Sequence, residues 1–226
     1  MATSYRIISI GTLSRNRLWN ETAAQRTAFS TTTLIRHDTT NILVDPGLPA
    51  QILSYYLDER AGIRPADIDV VFLTTFRPVH RRSLSLFDQA DWLMHGPEIE
   101  AMYRNLDEIE ERDQEGSEAE DIKKLVQDER SLLEHIQPAD DKLASTVHLY
   151  PTPGITPGSA GLLLAFASRT VIIAGDAVVT QDYFESGRIF EQIFDVDQAR
   201  ESFAEIIEIA DEIIPGHDNL FSTPGC

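Results

Sequence analysis

Residues 70–80 join a short apolar run to a polar loop, and this feature constrains the fold more than any other. The run Val70–Leu73 has the length and apolar character of a buried strand, and it ends abruptly in threonines, Arg77 and His80. A buried strand delivers side chains to a site at its carboxyl end in this way. The stretch therefore predicts a sheet with a functional loop at one edge.

The composition is typical of a soluble globular protein with a packed core. Of the 226 residues, 42% are hydrophobic and 25% are charged, and this length fits one domain of the α/β or α+β type better than two small domains. We therefore expect one domain over residues 1–226. It would contain a helical, acidic excursion at about residues 97–138.

The charge balance excludes whole classes of partner. The chain has 37 acidic and 19 basic side chains, which gives a formal charge of -18, and such a surface repels phosphate backbones and anionic lipid headgroups. The one dense basic cluster, Arg77, Arg81 and Arg82, is too small to form a nucleic-acid groove. We expect no nucleic acid and no membrane as partners, whereas a small-molecule ligand and a homo-oligomer are both compatible with the sequence.

Cysteine usage and the N-terminal sequence favour a cytoplasmic protein. The single cysteine, Cys226, is the last residue, so neither an intramolecular disulfide nor a cysteine zinc cluster can form. The N-terminal sequence lacks the apolar run of a signal peptide, and no stretch approaches the ~20 apolar residues of a membrane helix.

The chain alternates between strand and helix patterns. Hydrophobic spacing and turn residues predict strands at residues 5–10, 31–35, 41–44, 70–73, 91–94, 146–150, 162–166, 170–174 and 213–214. A first helix is predicted at residues 50–60, ended by Gly62. A second helical region is predicted within residues 97–138, with one apolar face formed by Ile122, Leu125, Val126, Leu133 and Ile136. A third helix is predicted from the spacing of Ala199, Phe203, Ile206 and Ile207. Residues 13–29 give no clear prediction.

An acidic run lies within the predicted helical excursion. Residues 107–121 hold nine acids and one base. Such a run can form a docking surface or a lid, but a solvated helical face or loop is the commoner explanation, and we favour it here.

Four loops follow predicted strands, and their motifs resemble those of the metallo-β-lactamase superfamily from residue 31 to residue 219. The motifs are Asn41-Ile-Leu-Val-Asp-Pro-Gly, Thr152-Pro-Gly-Ile-Thr-Pro-Gly-Ser, Ile172-Ile-Ala-Gly-Asp and Ile213-Ile-Pro-Gly-His. The resemblance implies an α+β fold, a four-layer αβ/βα sandwich of two mixed β-sheets flanked by helices. It also implies a metal centre at one edge and, if the chain is active, a metal-dependent hydrolase.

The resemblance implies that the first metal site of the family is lost. The family signature His-x-His-x-Asp-His falls on residues 75–80, where Thr75 and Arg77 replace the first two histidines. Ile155 replaces the third histidine of that site. We interpret Thr75 and Ile155 as a filled former site, since an unpaired imidazole buried there would be costly.

The second site keeps three of its four implied ligands. Val79 replaces the family's aspartate, whereas His80, the bridging Asp176 and the final His217 are kept, and Asp45 would support them from behind. Two imidazoles and a carboxylate suffice for one zinc, iron or manganese ion with open positions for water.

Arg77 opposes such an ion. If its permanently charged guanidinium points inward, it replaces the first metal electrostatically and repels a dication nearby.

The subgroup of the family that opens lactones often has a tyrosine three residues after the bridging aspartate. Here that position is Val179, and Tyr183, although near in sequence, is more simply explained as a packed residue.

Three functional hypotheses follow. The leading one is a divergent, hydrolase-like protein with a degenerate metal site, weak or no standard hydrolase activity, and a small ligand in the ancestral cleft. The second is an enzyme with a single ion on His80, Asp176 and His217 that hydrolyses an ester, lactone or phosphoester, or performs redox chemistry. The third is a non-catalytic partner-binding module that uses residues 107–121. The sequence leaves open whether any metal is bound and which side chains are catalytic, but the direction of Arg77 separates the first two hypotheses.

Overall fold

The first of two sheets contains the strand that ends in the functional loop. The computed structural model describes residues 3–112 and 119–223. Six strands lie in the order β1-β2-β3-β4-β5-β6, where β1 to β3 are antiparallel and β3 to β6 are parallel. Their bounds are Thr3–Ser9 (β1), Thr32–His37 (β2), Thr40–Val44 (β3), Val70–Leu73 (β4), Asp91–Met94 (β5) and Ile136–Pro138 (β6).

The second sheet also has six strands, in the order β12-β11-β10-β9-β8-β7. Strands β10 and β11 are parallel, and the other neighbours are antiparallel. The strands are Lys142–Ala144 (β7), Val147–Pro151 (β8), Ala160–Ala165 (β9), Thr170–Gly175 (β10), Glu212–Pro215 (β11) and Phe221–Ser222 (β12). The sequence patterns did not predict the short strands β6, β7 and β12.

Five α-helices are formed by the described residues. They are Ala50–Ala61 (α1), Gly96–Arg112 (α2), Ala119–Leu133 (α3), Gln181–Glu185 (α4) and Val196–Ile209 (α5). Helix α1 ends as predicted at Gly62, which has φ 64° and whose N–H bonds back to the helix carbonyls. Helix α5 begins after Asp195, whose carboxylate accepts hydrogen bonds from two N–H groups of the first turn.

The hydrophobic core is divided into layers. Side chains between the sheets, such as Phe72 on β4 and Leu162 on β9, form one buried cluster. Helices α1 to α3 cover the outer face of the first sheet, and α5 covers the outer face of the second through Phe203 and Ile206. The expected α+β four-layer sandwich of two mixed sheets is confirmed.

The helical predictions are wrong for three residues. Leu125 is 59% exposed because α3 faces the sheet with Val126 and Leu133, and Ile207 is 41% exposed on α5. Ile136 belongs to strand β6 rather than to a helix, because the chain leaves α3 after Leu133 and pairs with β5.

The acidic excursion forms the helix pair α2 and α3. Arg130 on α3 donates hydrogen bonds to Asp107 at 2.5 Å and to Glu110 at 3.1 Å on α2, so part of the acidic charge is paired between the two helices. Residues 113–118 of the acidic run lie outside the described residues. In the part of the chain that is described, no helix is long and apolar enough to cross a membrane.

Candidate metal centre

Four strand ends bring the predicted site residues to one edge of the sandwich. Asp45 follows β3, the loop with His80 follows β4, Asp176 follows β10 and His217 follows β11. The turn at Gly216 is tight, since a Cβ atom there would lie 2.7 Å from Oδ1 of Asp176 and 2.8 Å from the carbonyl carbon of Gly175. Only glycine allows these two loops to approach each other so closely.

His80, Asp176 and His217 form a buried cluster. Oδ1 of Asp176 lies 3.2 Å from Nε2 of His80 and 3.2 Å from Nε2 of His217. One ligand atom from each residue lies within 4.8 Å of the other two. The side chains that the sequence nominated as metal ligands are thus next to one another.

Hydrogen bonds on the far side of each ring orient the two histidines. Nδ1 of His80 lies 2.9 Å from Oδ2 of Asp45, and Asp45 is itself fixed by the backbone N–H and the hydroxyl of Thr74, at 2.9 and 2.7 Å. Because a carboxylate and its neighbours hold Nδ1, Nε2 of His80 is directed toward Asp176. Such support behind a ligand is typical of metal sites.

His217 is oriented by backbone carbonyls instead of a carboxylate. Its Nδ1 donates to the carbonyl of Phe29 at 2.9 Å, and the carbonyl of Thr12 lies at 3.2 Å. A carbonyl can only accept, so Nδ1 is the donor in these contacts, and Nε2 on the other side of the ring faces Asp176. Thr12 and Phe29 are paired as an isolated β-bridge. Both belong to or border the segment without a clear sequence prediction.

The residues fit a metal ion. Nε2 of His80 and Oδ1 of Asp176 are fully buried and have no hydrogen-bond partner among the described residues, although they lie only 3.2 Å apart. Buried polar atoms are rarely left unpaired, and two atoms that approach without the angles of a hydrogen bond are suited to share a cation. The donor set of two imidazoles and one carboxylate suits zinc, iron or manganese.

Without a metal, the cluster holds a proton tightly. Burial disfavours the charged form of His80, but the negative charges of Asp176 and Asp45 outweigh it and raise its pKa from 6.5 to about 10. Burial also disfavours the Asp176 carboxylate, yet the positive charge of His80 and the adjacent ring of His217 hold the pKa of Asp176 well below its usual value of 3.8.

Arg77 points inward. Its Nη1 donates to Oδ2 of Asp176 at 2.9 Å, and its Nη2 donates to the carbonyl of Gln192 at 2.7 Å. The side chain is 25% exposed, whereas that of Asp176 is 2% exposed. Asp176 is therefore divided between two partners, with Oδ2 on the guanidinium and Oδ1 facing the imidazoles.

The other two positions of the implied first site are buried but poor in ligands. Thr75 is 0% exposed and Ile155 is 2% exposed. The hydroxyl of Thr75 accepts a hydrogen bond from the backbone N–H of Arg77 at 3.4 Å, and the side chain of Ile155 has no donor or acceptor. The structure thus places an alkyl group, a hydroxyl and a guanidinium at these positions.

Glu98 is a structural element of the site that sequence reasoning missed. This carboxylate, at the start of α2, is 0% exposed and accepts from the N–H of Phe76 at 3.3 Å and of Gly158 at 3.1 Å. It ties the loop after β4 to the loop after β8. Nothing in the sequence distinguished it from the exposed acids nearby, because its partners are backbone atoms distant in sequence.

Replacing Glu98 with alanine is expected to lower the free energy of unfolding by about 2 kcal/mol, because two buried N–H groups would lose their acceptor. Glu100, an exposed acid on the same helix, provides the control, and its alanine variant should change the stability by less than about 0.5 kcal/mol. Urea denaturation of both variants measures the difference. Equal stabilities would show that the two loops do not depend on Glu98.

Tyr183 is a packed residue, as its sequence context suggested. It is 2% exposed and lies in a cluster with Leu13 and Val179, and its hydroxyl donates to Glu191 at 2.7 Å. Burial and this neighbouring carboxylate raise the pKa of Tyr183 to about 12. A phenol so placed is a poor proton donor to the cleft at neutral pH.

A cavity of about 350 Å³ opens beside the cluster. Its volume is at the lower end of the range for small-molecule sites, about 300–1,000 Å³. Its wall combines apolar, cationic and acidic groups: Leu13, Ser14, Arg15, Arg17, Ala28, Arg77, Pro78, Val79, Asp176, Phe190, Glu191, Gln192 and His217.

Comparisons with known proteins agree with this architecture. The family model of the metallo-beta-lactamase superfamily matches residues 26–74, the part of the chain from before β2 to just after β4. No curated protein sequence matches the chain at a significant level.

Solved structures share the fold over nearly the whole chain. A candidate metallo-beta-lactamase from Thermotoga maritima is 19% identical, with a TM-score of 0.69 over 98% of this chain and 100% of that one. A Staphylococcus aureus protein described as a metal-dependent hydrolase is 14% identical, with a TM-score of 0.69 over 96% of this chain and 89% of that one. AidC, a dizinc quorum-quenching lactonase, is 17% identical, with a TM-score of 0.66 over 88% and 77%.

Identities below 25% show a common fold. The family model and the structural neighbours agree with the motifs that first suggested the relationship. The resemblance to the metallo-β-lactamase superfamily is thereby confirmed, and this chain is a divergent protein with the fold of that superfamily.

Proposed function

We propose that this chain is a hydrolase-like protein in which Arg77 has replaced the first metal of the family's centre. Its cleft would bind a small ligand, and standard two-metal hydrolysis would be weak or absent. The observation that carries the proposal is the hydrogen bond of 2.9 Å between Arg77 and the Oδ2 atom of Asp176, the carboxylate that bridges two metals in the family.

Electrostatics explain why the arginine and a first metal exclude each other. At a separation of ~4 Å and an effective dielectric constant of ~20, a dication and a guanidinium repel each other by about 8 kcal/mol. The family's hydrolases need the charge of bound metal to acidify the attacking water. Thr75 and Ile155 offer neither a histidine ligand nor a general base in its place.

A second candidate function is that of an enzyme with a single ion on His80, Asp176 and His217. The unpaired Nε2 of His80 and Oδ1 of Asp176 favour it. A bound ion would supply Lewis acidity and a water of lowered pKa. Asp45 and the backbone carbonyls would hold the two imidazoles in place, and Arg77 would fix the other oxygen of Asp176. Since one structural neighbour is a lactonase, esters, lactones and phosphoesters are the substrates to test.

Metal content and hydrolysis distinguish these functions. After expression with zinc, iron or manganese, mass spectrometry should find at most one ion per chain, and the His217→Ala variant should lose it. The His135→Ala variant, altered at an exposed histidine, should bind as much metal as the wild type. Two ions per chain with rapid hydrolysis would refute the proposal, and no bound ion under any condition would refute the single-ion enzyme.

A further inference from the structure

The cavity beside the cluster concentrates positive charge in a strongly acidic protein. The chain carries a formal charge of -18, yet Arg15, Arg17 and Arg77 all line this one opening. A local cluster of guanidinium groups against such a background attracts small anions and orients them.

The acids in the cavity wall are already engaged. Asp176 accepts from Arg77, and Glu191 accepts from Tyr183 at 2.7 Å while its other oxygen lies 3.6 Å from Arg17. Two of the three arginines thus have a carboxylate partner within the wall.

Arg15 is the exception. It donates to the carbonyl of Thr22 at 3.3 Å and forms no ion pair with a carboxylate in the described part of the chain. Its side chain is half-buried at the cavity wall. A guanidinium in this position has N–H groups and an uncompensated charge to offer to a ligand.

The remainder of the wall is apolar. Leu13, Val79 and Phe190 line the same cavity, and Phe190 lies under the guanidinium of Arg77, whose Cζ is 6.0 Å from the ring centroid. A ligand that fills the space must therefore present an apolar group as well as a charge.

From this arrangement we infer that the cleft selects a small carboxylate with a short apolar tail and that Arg15 is the residue that recognises its charge. The inference rests on the proposed function in that it names the ligand class of the same cleft. It does not depend on a bound metal, because the arginine and the apolar wall belong to the chain itself.

Paired ligands test the inference in chelator-treated protein. Octanoate and octanamide have similar shape, but only octanoate is charged, and calorimetric titration should show at least tenfold tighter binding of octanoate. Inorganic phosphate should compete only weakly, because it lacks the tail. Strong competition by phosphate would overturn the carboxylate assignment.

Variants at Arg15, compared with a variant of Arg104 that loses the same charge, test whether Arg15 causes the preference for octanoate. Arg15→Gln should remove most of the preference for octanoate, and Arg15→Lys should retain part of it. Arg104→Gln, altered at an exposed arginine on α2, should leave the preference within twofold of the wild type. A preference that persists in Arg15→Gln would overturn the role of Arg15.

Two further outcomes separate the inference from the proposed function. Equal binding of octanoate and octanamide would refute selection by charge while leaving the cleft a ligand site. If neither molecule binds, the carboxylate inference fails, whereas the replacement of the first metal by Arg77 is judged separately from the metal content.

Discussion

Replacing Arg77 with alanine is expected to lower the free energy of unfolding of the metal-free protein by about 3 kcal/mol at neutral pH. The variant removes the partner of Oδ2 of Asp176, a carboxylate that is 2% exposed. Removal of one member of a buried ion pair commonly costs about 3–5 kcal/mol, because the other charge stays buried. The protonated His80 still faces Oδ1, so the lower end of this range applies.

Arg104→Ala is the matched control for this effect. Arg104 and Glu100 form an exposed pair on α2, 3.8 Å apart, with side chains 65% and 74% exposed. Pairs of this kind contribute about 0–1 kcal/mol. Urea denaturation with a chelator present measures both variants, and similar losses of stability in the two would contradict the assigned role of Arg77.

The same variant should change the response to metal. If Arg77 stands in for the first metal, a divalent ion should stabilise Arg77→Ala more than it stabilises the wild type, because it restores a positive charge beside Asp176. Thermal denaturation with and without zinc measures the difference. Equal stabilisation of the two proteins would indicate that Arg77 and the metal do not compete.

Raising the pH from about 6 to 10 is expected to destabilise the metal-free protein by several kcal/mol. The pKa of His80 is about 10 in the folded protein, against an ordinary value of 6.5, so the folded state binds this proton more tightly than the unfolded state. The stabilisation is complete below pH 6.5 and is lost as the pH rises toward 10. Because a tenfold difference in proton affinity corresponds to about 1.4 kcal/mol, the loss amounts to on the order of 5 kcal/mol.

The ionisation of Asp176 makes stability depend on pH in the opposite sense, because its contribution is lost at acid pH. Its pKa is depressed below 3.8, so its contribution is present above that pH and is lost as the pH falls below it. The metal-free protein should be most stable between about pH 4 and 6.5.

A His80→Asn variant should lose the decrease in stability at alkaline pH, whereas His135→Gln should retain it. Urea denaturation across this pH range measures both variants, and an unchanged alkaline slope in His80→Asn would refute the assignment.

Local sequence patterns predicted much of the fold. Strand Val70–Leu73 and helix Ala50–Ala61 followed from apolar spacing and from the turn residues that bound them. Strands β6, β7 and β12 did not, because two- and three-residue strands are stabilised by pairing with neighbours rather than by their own side chains. For the same reason Ile136 was predicted on a helical face, although it pairs with Trp92 on β5.

The site was predictable where loop motifs carry its residues. His80, Asp176 and His217 were nominated by motifs that follow strands, and the structure brings them together. Glu98 and the carbonyls of Thr12 and Phe29 left no signal, because each acts on backbone or ring atoms from distant parts of the chain.

The sequence by itself determined which residue types stand at the edge of the sheets: an arginine, a threonine and an isoleucine at three positions, and two histidines and an aspartate at three others. Only the tertiary structure decided that Arg77 turns inward to one oxygen of Asp176 while the other oxygen faces both imidazoles. A long, flexible side chain can point to water or to a buried carboxylate, and its direction depends on the carbonyls and the ring of Phe190 that surround it.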